Sequence, residues 1–221
     1  MLALQFAPAR LTYLLELGVE QVIDRKIEIA ELAKVELGMN PEFTLSSISV
    51  ANPTWAPDSN LLTIEQLFIR LDLPSIWLEG PILIDEMRVS GVDVGLLAPL
   101  NQHPNWNLQT SASARDVTNN DSDLSAVIIR KALIKQADIT YIDPGQDISV
   151  NINRLDLSEP TEGEPLELSL DGTVNEIPLQ IRGRLGPLPA LVSQKDLQLD
   201  LSVNWGELSL NAKGSIVDLS K

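Results

Sequence analysis

The chain has 221 residues, enough for one sizeable domain, and 44% of them are hydrophobic while only 4% are aromatic. Its formal net charge of −15 disfavours nucleic acid and anionic lipid headgroups as partners, because both are bound by clusters of Lys and Arg. The absence of cysteine excludes disulfides, thiolate catalysis and Cys-based zinc sites.

The N-terminal region predicts one helix and one strand. No run reaches the ~18 apolar residues of a membrane-spanning helix, and Met1–Ala9 is interpreted as the remnant of a removed signal or anchor, or as an ordinary start. Residues 8–24 predict an amphipathic helix, because apolar residues recur there at spacings of three and four: Leu11, Leu14, Leu15, Val19, Val22 and Ile23. A strand follows over Lys26–Leu37, with an irregularity at Glu31 and Leu32.

Three more strands are predicted between residues 45 and 89, where aliphatic and polar residues interleave: Leu45–Ala51, Leu61–Leu73 and Pro81–Val89. In the second of them the apolar parity switches after Ile64. A bulge near Gln66 would keep both halves on one face. Further on, the polar segment 109–125 is predicted to be a mobile loop.

The remainder of the chain predicts hairpins. Val127–Ile142 and Ile148–Leu157 are expected to pair around a turn at 143–147. A two-residue loop at Asn175-Glu176 would pair Val174 with Ile177 and Leu170 with Ile181. A second one at Gly206-Glu207, of type II′ because glycine comes first, would pair Val203 with Leu210 and Leu201 with Ala212. The two hairpins are a weak internal repeat.

This pattern predicts one helix and about ten strands, joined mostly as antiparallel neighbours. Every strand has an aliphatic side, and each Leu or Ile left in water forgoes roughly 1.5–3 kcal/mol of burial. One helix covers only part of such a face. Either the sheet folds on itself as a sandwich, or it curls into a trough that holds an apolar ligand; the pattern alone favours the sandwich.

Catalytic chemistry has no specific signal in the sequence. His103 is a lone histidine in a loop, and the adjacent Asp85 and Glu86 would point to opposite faces of a strand. Asp121 and Asp123 form a further acidic pair, but sequence does not show whether it faces a cleft. No phosphate-binding loop and no G-x-S-x-G motif is present. The sequence therefore predicts no catalytic, metal-binding or cofactor-binding residue.

A set of motifs in order resembles the N-terminal region of AsmA-family proteins. Asn52-Pro53 follows an apolar strand, the next strand ends in Arg70-Leu71-Asp72-Leu73, and another strand spans Ile82 to Val89. The family's Asn-Trp element matches Asn105-Trp106. Three later segments are also similar to the family: Ala137–Pro144, Leu170–Leu188 and Leu208–Ile216.

The resemblance implies a periplasmic protein of Gram-negative bacteria, anchored in the inner membrane and connected with outer-membrane assembly and phospholipid homeostasis. It also implies a relation to TamB-like and chorein-type lipid-transfer proteins, whose long curved sheet forms a trough for phospholipid acyl chains. Compared with the family pattern, we expect the N-terminal membrane-spanning helix to be absent from this sequence or reduced to Met1–Ala9. The family's chains are usually longer, so we expect a fragment or a short member.

With the resemblance, the trough becomes the leading expectation: a single domain over 1–221, mainly β, in which an N-terminal helix precedes a long curved antiparallel meander. The expected function is non-enzymatic binding and transfer of lipid, with phospholipid acyl chains, the membrane and envelope proteins as partners. The alternative is a structural β-sandwich scaffold or interaction domain that assists outer-membrane protein assembly. The candidate groove residues are Ile64, Ile69, Leu71, Leu168, Leu170, Val174, Ile177, Leu179, Ile181, Leu199, Leu201, Val203, Leu208 and Leu210.

Overall fold

The computed structural model describes residues 25–36, 38, 40–57, 60–72, 74–75, 82–107, 127–161, 163–187 and 195–218. Their architecture is one sheet of eleven strands. The strands are β1 Ile27–Glu36, β2 Glu42–Ala51, β3 Asn60–Leu71, β4 Ile82–Leu97, β5 Val127–Ile129, β6 Lys131–Asp143, β7 Gln146–Ser158, β8 Leu166–Val174, β9 Ile177–Gly186, β10 Lys195–Trp205 and β11 Leu208–Asp218. The predicted helix over 8–24 and the predicted mobile loop over 109–125 lie outside the described residues.

The strands lie in the sheet in chain order, and the prediction of an antiparallel meander is correct for every neighbouring pair except those of β4 with β5 and β6. There the pairing is parallel, at one constant register from Ile82 with Val127 to Leu97 with Ile142. A parallel neighbour requires the chain to return along the whole of β4, which a short turn does not allow. The long connection from residue 98 to residue 126 supplies that length.

The sheet is open, because β1 and β11 pair with their single neighbours and not with each other. In the described part of the chain no second sheet packs on the first. The alternative of a closed sandwich is therefore wrong for these residues. Among them, no helix has the length and apolar character needed to cross a membrane.

A transverse crease crosses the first half of the sheet. In each of six adjacent strands, one residue has no partner in the neighbouring strand. From β1 to β7 the pairing register is the same on both sides of these residues. Three of these residues have a left-handed φ, namely Ser47 at 52°, Gly91 at 61° and Gln136 at 53°. We call this line the crease; its residues are Ala30, Ser47, Glu65, Gly91, Gln136 and Asn153.

The crease explains the parity switch seen in the sequence. Across it, residues three apart lie on the same face: Leu45 and Ile48 belong to one buried cluster, and Ile64 and Leu67 pack against that cluster. The predicted bulge near Gln66 corresponds to the skipped residue Glu65, and no register shift results because β2 and β4 skip a residue at the same level. The irregularity predicted at Glu31 and Leu32 lies between Leu32 and Lys34.

Both C-terminal hairpins form as predicted, with Val174 opposite Ile177 and Val203 opposite Leu210. Asn175 and Glu176 both have positive φ, of 48° and 67°, which is the requirement of a type I′ turn. In the other loop, Gly206 has positive φ, of 57°, and Glu207 does not, as a type II′ turn demands. These turns set the registers that align the aliphatic residues of β8 to β11.

Candidate functional site

The most extensive feature of the sheet is a set of apolar rows that run across the strands. In each row, directly paired residues of successive strands are all aliphatic, aromatic, methionine, alanine or glycine, so one face carries no polar side chain along the row. Directly opposed residues have neighbouring Cβ atoms, so each row is a continuous strip of side-chain contact. We call the surface that these rows form the apolar face.

Two rows lie on the side of the crease that is nearer to the C-terminal end of β1, and each has a member in ten strands. The first, the Leu170 row, consists of Leu32, Leu45, Leu67, Val89, Ile134, Leu155, Leu170, Ile181, Val203 and Leu210. The second, the Leu168 row, consists of Val35, Phe43, Ile69, Met87, Ala132, Leu157, Leu168, Gly183, Leu201 and Ala212.

Two more rows lie on the other side of the crease. The Ile64 row consists of Ile29, Ile48, Ile64, Val92, Ala137, Ile152, Gly172, Leu179, Trp205 and Leu208. The Val174 row consists of Ile27, Val50, Leu62, Val94, Ile139, Val150, Val174 and Ile177.

The structure places every predicted groove residue in these rows or beside them. Leu71 pairs with Ile84, and Leu199 lies between Leu185 and Gly214, so these two extend the same face beyond the complete rows. The prediction omitted the members from β1, β2, β4, β6 and β7, such as Leu45, Ile134 and Leu155. The signal that would have found them is the spacing of three across the crease.

Exposure of the apolar face is greatest at β11 but does not rise evenly along the sheet, because Leu166 of β8 is only 1% exposed. At the β1 to β3 side, Ile27, Leu45 and Ile48 are buried. At the β11 side, Leu208 is 66% exposed and Leu210 is 63% exposed. The face is therefore accessible to solvent on the side where the sequence repeat of hairpins lies.

The opposite face is polar. In β8 to β11 its directly paired residues include Ser169, Arg182, Ser202 and Asn211 in one row. Arg182 donates from Nη2 to both carboxylate oxygens of Asp171 at 2.7 Å. Strict alternation thus separates a solvated face from the apolar one.

The acidic residues Asp85 and Glu86, which we considered as a catalytic pair, belong to ion pairs. Asp85 accepts a hydrogen bond from Arg130 at 3.2 Å and one from Asn40 at 2.7 Å. Glu86 lies 2.9 Å from Arg70 and 3.6 Å from Lys131. The carboxylates are thus engaged with cations, while His103 is exposed in a loop. Within the described ranges no group of side chains has the arrangement of a metal site.

The motif residue Arg70 joins three strands on the polar face. Its Nε donates to Glu42 at 2.8 Å and its Nη1 donates to Glu86 at 2.9 Å. The hydrogen bond to Glu42 holds the pKa of Arg70 above its ordinary value. Its guanidinium carbon also lies 5.6 Å from the ring centroid of Phe68, whose ring is contacted by Arg88 at 3.9 Å.

The two asparagines of the motifs form a corner at one end of the sheet, in which Asn105 is buried and Asn52 is half-buried. Asn105 is 0% exposed, and its side chain accepts from the Leu97 N–H at 2.8 Å. The same side chain donates to Asn52 Oδ1 at 2.8 Å and to the Gly95 carbonyl at 2.7 Å. This amide fastens the loop after β4 to the ends of β2 and β4.

A comparison with known protein families found a match: the model of the AsmA family matches residues 1–218. The chain belongs to the AsmA family. The match extends from the first residues through the C-terminal hairpins, so both the motif corner and the complete apolar rows of this AsmA-family chain lie inside it. A comparison with curated proteins found no match.

Proposed function

We propose that the apolar face binds the acyl chains of phospholipids, and that the chain is a non-enzymatic lipid-binding and lipid-transfer module. The observation that supports this is the continuity of the four apolar rows. An acyl chain is flexible and has no polar group, so it needs an unbroken apolar surface and no fixed hydrogen-bonding partner. Binding spread over many weak contacts also lets the ligand slide, as transfer requires.

The dimensions of the face suit this ligand. At a strand spacing of ~4.8 Å, a row across ten strands is about 43 Å long. An acyl chain occupies about 15 Å in one leaflet of a bilayer, half of the ~30 Å hydrocarbon core. A row therefore has room for an acyl chain to move along its length. The normal twist of sheets, together with the crease, would curl the face into the trough that we expected from the sequence.

Membership of the AsmA family supports a location in the cell envelope for this proposed activity. We propose a periplasmic module, tethered to the inner membrane in the full-length protein, that supports outer-membrane assembly and phospholipid homeostasis in a Gram-negative bacterium. Other proteins of the cell envelope would be partners of the chain in this lipid transfer. A single domain over 1–221 fits the one continuous sheet that holds all described strands.

The test compares two substitutions on neighbouring residues of β11. Leu210→Glu puts a charge into the Leu170 row at a position that is 63% exposed, where unfolding is not expected. Asn211→Glu puts the same charge on the polar face, one residue away. Phospholipid that co-purifies with each variant is measured by native mass spectrometry and by solvent extraction.

We expect Leu210→Glu to lower the amount of bound phospholipid at least several-fold while thermal stability is kept, and Asn211→Glu to leave the amount unchanged. Absence of lipid from the unsubstituted chain would contradict the proposal. Equal lipid content in both variants would do so as well, and would favour the alternative of a scaffold or interaction domain that assists outer-membrane protein assembly.

A further inference from the structure

Large hydrophobic side chains are exposed mainly at one end of the sheet. Among the described residues, eight large hydrophobics are exposed, and Val35 alone of them lies at the opposite end. The most exposed is Leu100, at 82%, followed by Leu208, at 66%. We call the following six the apolar lip: Leu100, Trp106, Ile142, Ile177, Trp205 and Leu208.

The pairing registers place the strand residues of the lip at one end of the sheet, although the six residues span more than a hundred positions of the chain. Ile142 lies opposite Leu97 at the end of β4, from which the loop with Leu100 and Trp106 continues. One register line joins Val94 to Ile139, Val150, Val174 and Ile177. The β10 to β11 turn completes the same end, with Trp205 opposite Leu208.

Four of the lip residues adjoin the apolar face, whereas Ile142, which is paired with Asp147, belongs by alternation to the other face. Ile177, Trp205 and Leu208 are members of the Val174 and Ile64 rows, and the Trp106 ring lies 5.8 Å from the ring of Tyr141 on β6. A lipid that entered at this end would reach the rows without crossing a polar surface.

The hairpin turns at this end carry negative charges, while the cations Arg25 and Lys26 lie at the start of β1, where Arg25 donates to the Asn107 carbonyl at 3.5 Å. The turns that carry the lip contain Asp143, Asp147, Glu176 and Glu207 and have no Lys or Arg between residues 142 and 148, 174 and 178, or 204 and 209. The backbone N–H of Gly145 donates to the Asp143 carboxylate and lowers the pKa of that carboxyl. An anionic surface would repel these turns.

We propose that the apolar lip rests on the headgroup region of a zwitterionic lipid bilayer. Tryptophan is suited to that zone, because its ring is apolar and its N–H keeps a hydrogen bond to water or headgroups. The flanking leucines and isoleucines add apolar area that the interface can take up. This inference rests on the proposed function, because it names the membrane from which the apolar face is loaded.

The test is flotation of the whole chain with phosphatidylcholine vesicles. We expect binding to these vesicles, and a partition coefficient at least about tenfold lower for the double variant Leu100→Gln/Leu208→Gln, given the value of burying two leucines. The control Val35→Gln alters an exposed apolar residue at the other end of the sheet and is expected to float as the unsubstituted chain does. Replacing part of the phosphatidylcholine with phosphatidylglycerol is expected to weaken binding, and added salt to restore it.

Bound phospholipid and oligomeric state are measured on the same samples, which separates this inference from the proposed function. A chain that carries phospholipid but does not float overturns the lip and leaves the function standing. If Leu100→Gln/Leu208→Gln floats as well as the unsubstituted chain, the inference about the lip is also overturned, since another segment then binds the membrane. A change from dimer to monomer in that variant, with flotation unchanged, would make the lip a contact between copies and overturn the inference.

Discussion

Replacement of Asn105 by Asp tests whether the buried amide corner holds the loop after β4. The change keeps the size of the side chain and its acceptor for the Leu97 N–H, but it removes the two N–H groups that donate to Asn52 Oδ1 and to the Gly95 carbonyl. A carboxylate there would face two oxygens in a fully buried position. Two lost hydrogen bonds with part-buried acceptors cost about 1 kcal/mol or more each, and the desolvated charge adds to this.

This loss of stability is expected to lower the melting temperature of the variant by at least about 4–8 °C, because 1 kcal/mol shifts it by roughly 2–4 °C in a chain of this size. The effect depends on pH with a known sign. Burial and the two facing oxygens raise the folded-state pKa of the new carboxyl above its unfolded value, so the folded state prefers the protonated form. The stability deficit is therefore smaller at low pH, where the protonated carboxyl supplies one of the two lost donors, and it grows as the pH rises through the folded-state pKa.

Thermal denaturation between pH 5 and pH 8 measures this deficit. Asn107→Asp is the matched control, since it adds the same charge two residues away at an exposed position. We expect the melting-temperature difference between the two variants to narrow from pH 8 to pH 5. Equal melting temperatures of the two variants at pH 8, or a difference that does not change with pH, would refute the structural role assigned to Asn105.

Two further predictions concern backbone positions of the sheet. Gly183→Ala is expected to lower the urea midpoint of unfolding, because Gly183 has φ of 151° and an added Cβ would lie 2.0 Å from the Asp200 carbonyl oxygen. In the control Gly214→Ala the added Cβ has no atom within 4 Å, so the urea midpoint should stay unchanged or rise. Gln136→Gly is expected to raise the urea midpoint, because it relieves a left-handed φ that costs about 1 kcal/mol. Glu65→Gly changes a crease residue without positive φ and should lower the midpoint. The opposite order of the two midpoints would show that the crease carries no strain.

Local patterns in the sequence were sufficient for the C-terminal half of the sheet. Between Leu166 and Ile216, strict alternation and turn residues with clear backbone preferences determine both the strands and their registers, and the predicted pairs Leu170–Ile181 and Leu201–Ala212 are present. Within each of the two hairpins the strands are joined by a two-residue loop, so local information defines the contact.

The parallel pairing of β4 with β6 was not predictable in this way. Alternation shows which residues of a strand share a face, but it does not show the direction of the strand beside it. Val89 and Val92 would be compatible with either direction, and the direction is decided by the return of the chain between residues 98 and 126. The crease was detected on β3, where Ile64 and Leu67 are both large, but on β6 its signal is the pair Ile134 and Ala137, and a lone alanine is a weak marker of a face.

The motifs and the proposed binding surface occupy different parts of the molecule for a physical reason. Arg70 and Asn105 each satisfy several defined donors or acceptors, so their chemical identity matters at one position. A position in an apolar row requires only volume and the exclusion of water, which Leu, Ile, Val or Met supply almost equally. Selectivity among lipids is therefore expected to arise at the edges of the apolar face, where charged turns and exposed tryptophans lie, and not from the residues along the rows.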